Sequence, residues 1–112
     1  MSYLFIIDEA CSLNIPKDTS VQLIKEFINQ KKDVYCCEIH NLSIDNGMRG
    51  NVLCSLINSI GTQINLAEQK MVLASKFKKI FVRKDPPFNQ AYLNLTFILD
   101  HIKMEGVEVV ND

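Results

Sequence analysis

The chain has 112 residues, 47% hydrophobic and 22% charged, enough for one domain with a real core and too few for two. Its 12 basic and 13 acidic residues leave a net charge of −1, which offers no electrostatic footprint for nucleic acid or an anionic membrane surface. The opening Met1-Ser2-Tyr3-Leu4 lacks a basic region and the apolar run after it ends at Asp8-Glu9, so neither a signal peptide nor a membrane span is expected, and a cytoplasmic location is.

Tyr3 to Ile7 is an unbroken run of β-forming apolar residues, the pattern of a strand buried on both faces, and Asp8 marks its exit. An irregular stretch through Pro16 leads to Thr19, which with Gln22 fits a capping box. A helix is expected from about Ser20 to Lys31, with Val21, Ile24, Phe27 and Ile28 on one face. Val34 to Ile39 reads as the second strand of a right-handed β-α-β unit, parallel to the first.

Four cysteines form no Cys-x-x-Cys pair, and Cys36 and Cys37 are expected to point to opposite faces as small packing residues. His40 and His101 stand far apart with no ligand spacing around either, so no metal site is expected in this chain. Leu42-Ser43-Ile44 and Val52 to Leu56 flank an Asn46-Gly47 step. That step is expected to supply the positive φ angles of a tight hairpin, with Gly50 a candidate bulge.

From Asn58 to Phe77 the pattern is ambiguous, since Gln63 to Leu66 alternates like a strand and Leu66 to Ala74 fits a helix as well. Lys76, Lys78 and Lys79 around Phe77 read as a solvated approach to the next strand. Ile80-Phe81-Val82 then runs into Arg83-Lys84-Asp85-Pro86-Pro87-Phe88, a charged turn stiffened by two prolines. Asn89 can cap a helix whose apolar residues Ala91, Leu95, Ile98, Leu99 and Ile102 keep near-helical spacing until Gly106. A last strand, Val107 to Val110, brings Asn111 and Asp112 to its carboxyl end. Ligands of open α/β sheets gather outside the carboxyl ends of parallel strands, which makes the charged turn a candidate substrate edge. An ion pair between Arg83, Asp85 and a nearby loop is the alternative. No Gly-x-Gly-x-x-Gly or Walker lysine loop occurs, so the residues alone indicate an α/β domain without its own nucleotide site.

The string Arg83 to Phe88 after a strand and before a long helix resembles the amino-terminal domain of bacterial glutathione synthetases. The likeness continues at Phe5-Ile6-Ile7-Asp8, Asn14 to Ser20, Asp45-Asn46-Gly47 and Val109 to Asp112. It implies a three-layer Rossmann-like pre-ATP-grasp domain over residues 1–112, with a mainly parallel central sheet and an added β-hairpin. It also favours an extended strand and a loop in the ambiguous stretch. Such ligases join γ-glutamylcysteine to glycine through an acyl phosphate, with ATP and Mg²⁺ held by an ATP-grasp portion that follows this domain. The resemblance therefore implies no cofactor in this chain, no catalysis by the chain alone, a substrate-cleft and oligomerisation role, and assembly into a homo-oligomer. Carried over by position, it assigns substrate binding to Lys17, Asp18, Ser20, Arg83, Lys84 and Asp85. Glu9, where relatives tend to have proline, departs from the pattern. The other reading is a stand-alone small-molecule-binding or protein-interaction module that reuses the fold.

Overall fold

A computed structural model of the chain describes residues 2–7, 19–61, 64–83 and 90–111, with the backbone alone at 19, 20 and 111. Four parallel strands form its centre: β1 (Ser2–Ile7), β2 (Asp33–Cys37), β7 (Phe77–Arg83) and β8 (Glu108–Asn111), in the order β2-β1-β7-β8. β1 is the middle of this set, pairing Leu4 with Tyr35 on one side and with Ile80 on the other. Its uninterrupted apolar run follows from that position, because Leu4, Phe5 and Ile6 are fully buried on two faces at once.

The two helices cover opposite faces. α1 (Thr19–Asn29) lies over Phe5, Ile7, Val34 and Cys36, with Phe27 stacked on Tyr3 at 4.5 Å. α2 (Gln90–Met104) lies over Leu4, Ile6, Ile80 and Val82 through Leu95, Leu99 and Ile102. The period-two alternation of β1 thus feeds two separate cores from one strand. The opposite placement follows from chain direction, since β1-α1-β2 steps one way along the sheet and β7-α2-β8 steps the other, each right-handed. Thr19 belongs to the helix itself, so any cap lies at or before Asp18, outside the described residues.

The rest of the sheet is an antiparallel ribbon around β4 (Gly50–Ile60). β3 (Leu42–Ile44) and β6 (Lys70–Leu73) both pair with Asn51 and Val52, so they lie on opposite edges of β4. β2 and β5 (Ile64–Leu66) flank its other half, where Leu56 pairs with Tyr35 and also accepts the Ala67 N–H. The added hairpin is therefore part of a larger ribbon, and the ambiguous stretch is extended, with a short 3-10 turn at Ala74–Lys76 in place of a helix. That turn joins β6 to β7 although three strands stand between them. Four strand spacings in a flat sheet would span about 19 Å, whereas the four residue steps from Leu73 to Phe77 reach about 14 Å at most. The sheet must roll over the face that carries α2.

Two turn expectations change. At the β3–β4 hairpin the left-handed residue is Met48, φ 59°, and neither Asn46 nor Gly47 has a positive φ. The loop is closed instead by the Asp45 carboxylate, which accepts the Gly47 and Arg49 N–H groups at 2.8 and 2.9 Å. These bonds, that of Arg49 first, hold its carboxyl below the usual range. Gly50 is not a bulge, because β3 and β4 pair without a register shift there. A Cβ at Gly50 would stand 2.7 Å from Ile102 Cγ1, so its glycine lets α2 approach the ribbon. The Gly50 N–H donates to Glu105 Oε1 at 2.7 Å, and His101 Nε2 bonds the Met48 carbonyl, clasping the hairpin to the end of α2.

Candidate substrate edge

All four parallel strands end on one side of the molecule. Ile7 pairs with Arg83, Val82 with Asn111 and Ile6 with Cys37, so the last residues of β1, β2, β7 and β8 line a single carboxyl edge. α1, the helix after β1, packs on one face, and α2, the helix after β7, on the other. The strand order reverses between β1 and β7, the point at which ligands of open α/β sheets gather. α1 and α2 each return the chain to the amino end, so both direct their N-terminal N–H groups to this same edge. Arg83 adds a guanidinium with five donors in a planar fork. It is half-buried at the end of β7 and is engaged by interactions within the chain. The two helix N-termini and Arg83 are donors of the kind that bind carboxylate or phosphate.

Of the six residues singled out in the sequence, Arg83 is placed at this edge, opposite Ile7. Ser20 lies in the first turn of α1, where the backbone alone is described. Lys17, Asp18, Lys84 and Asp85 lie outside the described residues. Among the described residues no three His, Cys, Asp or Glu side chains converge in a manner that could hold a metal ion, and no helix is long and apolar enough to cross a membrane. Sequence reading passed over Tyr35 and Lys70, which the rolled sheet brings together in a separate concavity at the amino end. Nothing in their local spacing could have paired them.

Among the described residues the three thiols, Cys36, Cys37 and Cys54, are buried. Burial, then the neighbouring Cys54 and Glu38, push the Cys36 thiol up to about 12, and burial pushes Cys54 up to about 11. Cys37 is raised well above the usual value by the same desolvation. A thiol so disfavoured as thiolate is a poor nucleophile, which agrees with the packing role expected of Cys36 and Cys37. Cys36 packs in the α1 core and Cys37 in the α2 core, on opposite faces as expected.

A family model described as the prokaryotic glutathione synthetase N-terminal domain matches residues 1–112. The chain belongs to this family. Among similar proteins are the glutathione synthetase of Buchnera aphidicola subsp. Baizongia pistaciae, 33% identical over 95% of this chain and 33% of that protein, and that of Prochlorococcus marinus subsp. pastoris, 30% identical over 99% and 36%. The Vibrio cholerae glutathione synthetase is 28% identical over 95% of the chain and 34% of its own length. The chain thus spans about a third of the length of the curated relatives it matches. As a glutathione synthetase amino-terminal domain, it brings to that family's architecture a strand edge on which β1 and β7 part.

Proposed function

We propose that the chain forms one wall of the substrate cleft of a cytoplasmic, homo-oligomeric glutathione synthetase, which joins γ-glutamylcysteine to glycine with ATP and Mg²⁺. The observation that carries this reading is the family match along residues 1–112, and the position of Arg83 beside the switch point between β1 and β7 supports it. γ-Glutamylcysteine carries carboxylates, and a planar guanidinium can bind a carboxylate through two parallel hydrogen bonds. Arg83 holds one of these groups, and Lys17, Asp18, Ser20, Lys84 and Asp85 complete the wall. ATP supplies the phosphoryl group that activates the acyl carboxylate, and its phosphates and Mg²⁺ are bound by the portion of the enzyme outside this chain. The role of these 112 residues is to bind and orient substrate, an entropic contribution to catalysis.

The test is Arg83→Ala in the protein that includes the ATP-grasp portion. A lost charge-assisted hydrogen bond corresponds to a fall of about 10- to 150-fold in kcat/KM for γ-glutamylcysteine, with the melting temperature almost unchanged. Arg83→Lys should restore little, because a lysine cannot reproduce the fork. A variant that melts several degrees earlier yet keeps its kcat/KM would make Arg83 a strand-end ion-pair residue. The 112-residue chain alone should neither hydrolyse ATP nor form glutathione, and measurable turnover in a coupled ATPase assay would contradict the division of labour.

A further inference from the structure

The rolled sheet leaves a concavity of about 360 Å³ where β6 comes round to the start of β7. It is walled by Ser2 of β1, Tyr35 of β2, Lys70 to Leu73 of β6, Lys76 and Phe77. This volume lies within the range of small-molecule sites, and the mouth of a partly closed β-structure is one of their usual places. The concavity opens at the amino end of the strands. Ser2 is five strand residues from Ile7, so it stands about 16 Å from the carboxyl edge and is not part of it.

Its charge is one-sided. Lys70 and Lys76 are the charged residues of the wall, and no carboxylate residue lines it. Neither lysine makes an ion pair among the described residues, although Lys79 and Lys103 both do. Lys70 is held with its Nζ 5.3 Å from the centre of the Tyr35 ring, and Tyr35 is in turn braced edge-on by Phe77 at 5.6 Å. A cation fixed over an aromatic wall, a second cation on the same rim and two hydroxyl-bearing residues form a receptor for negative charge. The apolar floor of Val72, Leu73 and Phe77 suits the carbon frame of an organic anion.

We propose that this concavity is a second ligand site, for a small organic dianion whose charges are phosphate or carboxylate groups, with Lys70 and Lys76 as the charge partners. The ligand enters between β6 and Ser2 and lies against the Tyr35 ring, away from the edge that carries Arg83.

Isothermal titration calorimetry of this chain at low ionic strength, with inorganic pyrophosphate and separately with citrate as probes, tests the site. At least one probe should bind at a single saturable site with a Kd of about 1 mM or below, and the stronger of the two tells phosphate from carboxylate. Lys70→Gln and Lys76→Gln should each weaken that probe by about 10-fold, the loss of one charge-assisted contact, while Lys103→Gln on α2 leaves it unchanged. Amide shifts in the NMR spectrum should gather at Ser2, Tyr35, Lys70 to Leu73 and Phe77. Circular dichroism checks that each variant is folded, and because both lysines are at the rim, a folded variant is expected. No saturable binding of either probe up to about 10 mM would overturn the proposal, as would undiminished binding by the Lys70→Gln/Lys76→Gln double variant. Binding that Arg83→Ala abolishes and the lysine variants retain would also overturn it, by assigning the anion to the carboxyl edge.

Discussion

Lys31 carries a backbone conformation that chemistry usually reserves for glycine. It follows α1 with φ 61°, its N–H donating to the Ile28 carbonyl at 2.9 Å and the Lys32 N–H to the Phe27 carbonyl at 3.0 Å. This is the Schellman pattern, and α2 ends comparably with Gly106 at φ 97°. A side chain in the left-handed region costs about 1 to 2 kcal/mol, part of which glycine would return as chain entropy, so Lys31→Gly should raise the unfolding free energy by about 0.5 to 1 kcal/mol in urea denaturation. A loss of stability would show that the lysine side chain itself secures the helix end, where its neighbour Lys32 lies over the Tyr3 ring. The buried thiols give a second consequence at this scale. Cys36 and Cys54 are pushed up to about 12 and 11, while an exposed thiol ionises near 9, so above pH 9 the unfolded chain loses protons that the folded chain keeps. Their contribution to stability is complete below pH 9 and declines as the pH rises toward 11 to 12. Melting temperatures measured from pH 8 upward should fall, and the slope should be shallower in a Cys36→Ala/Cys54→Ala variant; an unchanged slope would trace the alkaline loss to other groups.

At the scale of the element, β1 does the most work per residue, and Phe5 is its centre. The ring is fully buried, stacked 4.7 Å from Phe81 and tilted against Phe27 at 6.3 Å. Phe5→Ala should cost about 3 to 5 kcal/mol, read as a shift of the denaturation midpoint, and a loss below 1 kcal/mol would mean that the site collapses or was never sealed. Gly50→Ala tests a different contact: the added methyl would meet Ile102, itself fully buried, and overpacking of this kind costs about 1 to 3 kcal/mol. A neutral Gly50→Ala would show that α2 can slide off the ribbon freely. These two residues also mark what could be read in advance. β1, α1, β2, β7, α2 and β8 were legible because their signals are local: an apolar run, a helical period, a stop at Gly106. The stretch 66–74 was not, because β6 is half-exposed and held by pairing with Asn51 to Cys54, some 20 residues earlier, which leaves no clean period of its own. Gly50 looked like a bulge because its true neighbour, Ile102, is 52 residues away in sequence. Asn46-Gly47 pointed to a hairpin correctly and to its geometry incorrectly, since the Asp45 carboxylate binds the loop N–H groups and shifts the left-handed residue to Met48. The placement of Arg83 at a carboxyl edge was legible from the succession of strand, charged turn and helix, whereas a pocket built by the roll of the sheet depends on three-dimensional closure that no local pattern encodes.

The molecule as a whole is two cores on one sheet, and whether they are one unit depends on β1. Leu4 and Ile6 belong to the core under α2, Phe5 and Ile7 to the core under α1, so neither face can melt without exposing the strand that supports the other. The radius of gyration, 13.3 Å, equals the roughly 13 Å of a compact single domain of this length. One cooperative transition is therefore expected for the chain, and the carboxyl edge, which consists of the ends of β1, β2, β7 and β8, should persist up to it. The test is a pair of variants on opposite faces. Phe5→Ala opens the α1 core and Leu99→Ala the α2 core, the latter at a cost of about 2 to 5 kcal/mol. Each should lower the midpoint of the same single transition, with far-ultraviolet dichroism and tyrosine fluorescence changing together. Tyr3 reports the α1 face through its stack on Phe27, and Tyr35 the α2 face through Phe77. Should Leu99→Ala instead release the Tyr35 signal at a temperature where Tyr3 remains packed, the faces are separable. The edge that positions Arg83 would then rest on β1 and α1 without help from α2.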